Sequence, residues 1–184
     1  MSKRIALLSA AAFAALALTV SVAAPVNAEE KTVMVGGAAM FPSKNIIQNA
    51  VNSKDHTTLL AAVKAAGLVG TLEGKGPFTV FAPTNAAFGK LPAGTVDTLV
   101  KPENKATLTK ILTYHVVPGK LAASDLTDGK KLKTAEGEDL TVKLDGSKVW
   151  IIDAKGGQSM VTISNVNQSN GVIHVVDTVL MPAS

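Results

Sequence analysis

The stretch GPFTVFAPTNAAF, residues 76 to 88, changes its hydrophobic period partway through, and that change points to the class of fold. Phe78, Val80 and Ala82 alternate with Thr79 and Phe81, the period of two expected of a strand. Pro83 has no N–H for a ladder and ends the run. Thr84 or Asn85 then offers a side-chain oxygen to the amides that follow, so Ala86, Ala87 and Phe88 begin a short helix. A strand that runs through a cap into a helix predicts mixed α and β structure.

Working outward, two helices precede this strand. NIIQNAV, from 45 to 51, places Ile46, Ile47, Ala50 and Val51 on one helical face, and DHTTLLAAVKAAG, from 55 to 67, does the same with Leu59, Leu60, Val63 and Ala66. Asp55 is the predicted N-cap of the second and Gly67 its stop. Farther on, Pro102 suits the first turn of a helix carrying Leu108, Ile111 and Leu112 inward. From Pro118 the pattern turns to β. Leu140, Val142 and Leu144 point inward in DLTVKL, Asp145-Gly146 reverses the chain, and KVWII returns. SMVTI follows Gly156-Gly157, and Asn170-Gly171 turns into VIHVVDTVLMP, whose nearly continuous apolar run suits a strand covered on both faces. Helices early and strands late predict one α+β domain without internal repeats.

The chain of 184 residues opens with Lys3 and Arg4, an apolar run to about Ala24, and small residues at Val26-Asn27-Ala28 before Glu29-Glu30. That order predicts a secretory signal peptide over 1–28, with no transmembrane anchor after cleavage. Residues 29–40, with Gly36 and Gly37, read as an irregular N-terminal arm, and 41–184 as the domain. Secretion, whether periplasmic or extracellular, follows from the signal. With no cysteine in the chain, a lipoprotein acyl anchor and disulfides are both excluded, so stability rests on an ordinary core. Lys3 and Arg4 leave with the signal, which takes the net charge from +4 to +2. A nearly balanced chain lacks the basic face of a nucleic-acid binder, and KKLK at 130–133 reads as a solvated strand end.

Chemistry is faint in this sequence. There is no Gly-x-Ser-x-Gly elbow and no cysteine nucleophile. His56, His115 and His174 stand far apart rather than at the short spacings of a zinc site. No catalytic residues, metal site or cofactor are expected. His56, near a helix start, reads as solvated, and His174 as structural. Tyr114 and His115 fall where the helix that follows Pro102 meets a strand. His115 can satisfy backbone groups that neither element pairs, and partner contact is the other reading of the pair. Trp150, the sole tryptophan, sits on a strand that is apolar on both sides. Either something covers that face, or Trp150 belongs to an exposed apolar patch that binds a partner.

FTVFAPTNAAF, YHVVPG at 114–119 and NGVIHVVDTVLMP, in this order, resemble the two signature motifs and the central Tyr-His motif of the fasciclin domain, over roughly residues 41 to 182. The resemblance is to the small, secreted, single-domain bacterial members. It implies a wedge-like β-sandwich with helices packed at its edge, and a non-enzymatic role in cell adhesion or in binding an extracellular or cell-surface protein or glycan. Tyr114 and His115 match a motif linked to integrin binding in some animal members. Asn85 and Asn165 stand where many fasciclins carry aspartate. The resemblance leaves a second function open, a carrier of an apolar small molecule such as a lipid or pigment-like ligand, with Met34, Met40, Met160 and Met181 as a possible adaptable lining.

Overall fold

A computed structural model describes residues 31–183. In chain order the elements are β1 (Val33–Val35), β2 (Ala38–Met40), α1 (Ile46–Ala50), α2 (Thr57–Ala66), α3 (Val69–Glu73), β3 (Phe78–Pro83), α4 (Asn85–Gly89), α5 (Thr95–Leu99), α6 (Lys105–Tyr114), β4 (Val116–Pro118), β5 (Lys131–Lys133), β6 (Asp139–Asp145), β7 (Lys148–Ile152), β8 (Gln158–Gln168) and β9 (Gly171–Val176). The predicted signal peptide lies outside the described residues.

Seven strands form one coiled sheet in the order β4-β3-β9-β8-β7-β6-β5. β3 runs parallel to β9, and every other pairing in that sheet is antiparallel. β8 spans eleven residues and its register against β9 shifts twice, between Val161 and Ile163 and between Ile163 and Val166. Such bulges sharpen bend and twist, so β8 serves both halves of a sandwich. The free ends nearly meet, where the Ala135 N–H donates to the Val116 carbonyl at 2.7 Å. The fold is α+β, a sandwich verging on a barrel with helices against one side.

Two apolar cores lie on opposite faces of β3, β4 and β9. Val80, Ala82, Val116, Ile173 and Val175 pack against α1, α2 and α6, while Phe81, Val117 and Val176 turn into the sandwich against Leu132, Leu140, Val142 and Ile151. This two-sided burial accounts for the continuous apolar run predicted for β9, every residue of which is buried. Where β3 and β9 begin, the backbones approach closely. A Cβ built on Gly171 would lie 2.0 Å from the Phe78 carbonyl oxygen, and one on Gly76 2.0 Å from that of Asn170. Only glycine fits at either point.

Several local expectations need correction. Residues 33–40 are a two-stranded hairpin, β1 on β2, and Val35 and Met40 enter the helical core. Val51 is 52% exposed, because α1 ends before it, and Leu144 is 39% exposed near the end of β6. Asp55 does not cap α2. A short 3-10 turn, Lys54–His56, leads in, and the Thr58 amide donates instead to Asn85 Oδ1 at 3.0 Å. Thr84 caps α4, its hydroxyl accepting from the Ala87 N–H at 3.2 Å.

Candidate functional site

Tyr114 is the last residue of α6, and His115 follows as its C-cap. The helix tightens there, and the His115 N–H bonds the Leu112 carbonyl at 3.1 Å. The Ile111 carbonyl, which that N–H would serve in a regular α-helix, lies 2.8 Å from His115 Nδ1 instead. Nε2 accepts from the Leu180 N–H at 3.0 Å. A neutral ring protonated at Nδ1 meets both bonds, and burial pushes the pKa down to about 4. Tyr114 reaches the opposite layer. Its hydroxyl accepts from the Ala154 N–H at 2.9 Å and donates to the Asp139 carbonyl at 3.3 Å. Burial is the main cause that raises its pKa to about 12. The pair thus joins α6, the β6–β7 layer and the C-terminal segment, with both side chains inside the protein.

Trp150 lies elsewhere. On β7 it stands opposite Lys143 of β6 and Met160 of β8, and the next residue on its side of the strand, Ile152, faces Thr141 and Gln158. This is the outer face of the sandwich, since Leu140, Val142 and Ile151 fill the other. Trp150, Ile152 and Met160 are half-buried and Lys143 is exposed. The face is therefore an apolar strip edged with lysine, including Lys131 across from Thr141. The structure does not gather Trp150 with Tyr114 and His115. Nor do the four methionines share a cleft. Met40 is buried in the helical core, Met181 is at its margin, Met160 is on the outer face, and Met34 is 59% exposed.

The histidines have internal partners. His174 Nε2 donates to the Leu121 carbonyl at 2.8 Å, its Nδ1 lies 3.4 Å from the Asn165 N–H, and its ring stacks on Phe81. Burial lowers its pKa. His56, expected in solvent, is buried, with Nδ1 2.9 Å from Ser53 Oγ. That serine–histidine pair is sealed within the core, and no carboxylate hydrogen-bonds the ring. Among the described residues, no three His, Asp or Glu side chains gather as a metal site requires, and no helix is long and apolar enough to cross a membrane.

The sequence did not show that four asparagines tie loops together. Asn49 is wholly buried, bonds both backbone groups of Phe41 and donates to Gln168 Oε1. Its signal was a polar residue three positions after Ile46 on an apolar face. Asn170 accepts from the Ile46 N–H and donates to the Leu72 and Gly74 carbonyls. Asn85 accepts from Thr57 and Thr58 and donates to the Lys54 carbonyl, a bond a carboxylate could not make. Asn165 sits at φ +57°, a conformation asparagine tolerates, and accepts from the Ala123 N–H at 2.7 Å. That bond needs only an acceptor, so aspartate could replace it.

The fasciclin domain family model matches residues 54–182. The chain belongs to the fasciclin domain family. It is 47% identical to Protein sll1483 of Synechocystis over 168 residues, which cover 91% of this chain and 90% of that one. It is 40% identical over 153 residues to the cell surface glycolipoprotein MPB83 of Mycobacterium bovis, covering 80% of this chain and 64% of MPB83. Among solved structures, a FAS1 domain pair from the insect cell adhesion molecule Fasciclin I superposes with a TM-score of 0.68 at 19% identity, over 77% of this chain and 52% of that one. That likeness establishes the fasciclin fold.

Proposed function

We propose that this fasciclin domain is a secreted, non-enzymatic module that binds a protein or glycan on a cell surface, through the outer face of β6, β7 and β8 around Trp150. The observation that carries this reading is the contrast between the two candidates. Tyr114 and His115 use their polar atoms on internal backbone groups, whereas Trp150, Ile152 and Met160 form a half-buried apolar strip beside exposed lysine. A tryptophan with an apolar surround and a charged rim is the composition of an interface anchor. Tyr114 and His115 act as the joint that holds the helical layer to the sandwich. The descriptions of MPB83 as a cell surface protein and of Fasciclin I as an adhesion molecule support a site of action outside the cytoplasm.

The test is capture of the labelled protein by intact cells of its source. Retention that is lost with Trp150→Ala, at unchanged circular dichroism, supports the reading. Treating the cells with protease or with periodate separates a protein partner from a glycan. Retention indifferent to Trp150→Ala overturns the assignment of the face.

A further inference from the structure

The helical core holds a cavity of about 50 Å³ between the β1–β2 hairpin, α1, α2 and the sheet. Its wall is apolar almost throughout, formed by Val35 and Met40 of the hairpin, Ile47 of α1, Leu60 and Val63 of α2, and Ile173 of β9. Three polar residues border it: Ser53, His56 and His115. Both ring nitrogens of His115 are bonded, and Ser53 Oγ is taken up by His56 Nδ1. His56 Nε2 differs. It is buried and makes no hydrogen bond of good geometry, although the Ala82 backbone lies close enough to favour its protonation. A buried nitrogen without a good hydrogen bond is costly for a fold, and it calls for an explanation.

We propose that this cavity is a binding site for a small neutral alcohol, whose hydroxyl pairs with His56 Nε2 and whose alkyl chain lies against the apolar wall. A water-sized group takes roughly 10–15 Å³ of such space, so the cavity suits about four non-hydrogen atoms. Water alone is a poor occupant, because it needs two to four polar partners and the wall offers it little beyond Nε2. A hydroxyl fits in either tautomer, since it accepts from an Nε2–H and donates to a bare Nε2. The ligand is neutral because burial also disfavours a charged ring, and an anion would have no cation to meet. The hairpin is the cover. The Lys54 N–H donates to the Gly36 carbonyl at 3.2 Å, and a Cβ on Gly36 would lie 2.4 Å from Ser53 Oγ, so the turn sits directly on the Ser53–His56 segment. This site is independent of the outer face around Trp150, and either can fail without the other.

The experiment compares 1-propanol with 1-chloropropane, which has the same chain and no hydroxyl, by titration into the purified isotope-labelled protein. The expected result is a saturable shift of the His56 Nε2 resonance and of the Leu60 and Val63 methyl groups. Because the two compounds differ in hydrophobicity on their own, the readout is the ratio of propanol to chloropropane affinity. That ratio should be up to about tenfold higher in the wild type than in His56→Phe, the size of effect one buried hydrogen bond supports. His56→Phe, close to isosteric, should weaken propanol while leaving chloropropane nearly unchanged, and His56→Gln, which keeps a hydrogen-bonding group, should retain part of the wild-type ratio. An affinity ratio that His56→Phe leaves unchanged overturns the proposal. So does the lack of a saturable change with either compound, or a bound water at Nε2 that propanol does not displace.

Discussion

Replacing His115 with phenylalanine separates a ring that fills space from one that bonds. The substitution keeps the volume and deletes the acceptor for the Leu180 N–H and the donor to the Ile111 carbonyl. Leu180 is buried, so its amide gains no water in exchange. Each group left unpaired costs about 1–3 kcal/mol, so the variant should lose roughly 2–6 kcal/mol at pH 7. That is a large share of the 5–15 kcal/mol a domain commonly has. The dependence on pH adds a second signature. An unfolded histidine titrates near 6.5 and folded His115 at about 4, so the unfolded chain takes up the proton first on acidification. The contribution is fully present above pH 6.5 and is lost as pH falls toward 4, at about 1.4 kcal/mol per unit and roughly 3 kcal/mol in all. Phenylalanine has no such term. Urea unfolding followed by the fluorescence of Trp150 should therefore show a gap between wild type and variant that narrows by roughly 2 kcal/mol between pH 7 and pH 5. A gap under about 0.5 kcal/mol at pH 7, or one of the same size at both pH values, refutes the reasoning.

Other residues give sharper local tests. Tyr114→Phe removes the bonds to Ala154 and Asp139 and should cost about 1 kcal/mol in chemical denaturation. In the wild type, ultraviolet titration should find no tyrosinate until the pH approaches about 12, because burial holds the phenol protonated. Gly171→Ala places a methyl group against the Phe78 carbonyl and should destabilise by at least about 1–3 kcal/mol, whereas Gly89→Ala, which meets nothing within 4 Å, should be near neutral. Asn165→Asp keeps the acceptor for Ala123 and should leave the melting temperature nearly unchanged, while Asn85→Asp loses the bond to the Lys54 carbonyl and should lower it.

The legible parts of this fold were those in which one periodicity serves one neighbour. α2 and α6 each bury a single stripe, and Leu59, Leu60, Val63, Leu108, Ile111 and Leu112 all lie where the 3.6-residue period puts them. β9 was legible as well, because two cores leave it no polar face. What stayed hidden depends on distant residues. The amide near the start of α2 is capped by Asn85, 27 positions away, so Asp55 looked like the better cap. β8 runs on through Ser164-Asn165-Val166-Asn167, a polar stretch whose alternation is broken by bulges. The hairpin at 33–40 has strands of three residues each, too short for a period to register. For the candidate site, the joint role open to His115 was readable from its place between helix and strand. The burial of His56 was not, since it arises from the hairpin turn that packs over Ser53. Trp150 was recognisable as a residue on a two-sided apolar strand, but its register opposite Lys143 and Met160 needed the sheet.

The central claim is that the outer face around Trp150 contacts the partner while the Tyr114–His115 joint only holds the fold together. The most direct measurement is the binding curve of the labelled protein on intact source cells for wild type, Trp150→Ala and Tyr114→Phe, each confirmed as folded. The account predicts at least a tenfold loss of apparent affinity for Trp150→Ala, on the order of 1.4 kcal/mol or more for an interface anchor, with Tyr114→Phe close to wild type. Full binding by Trp150→Ala together with a loss in folded Tyr114→Phe would contradict it.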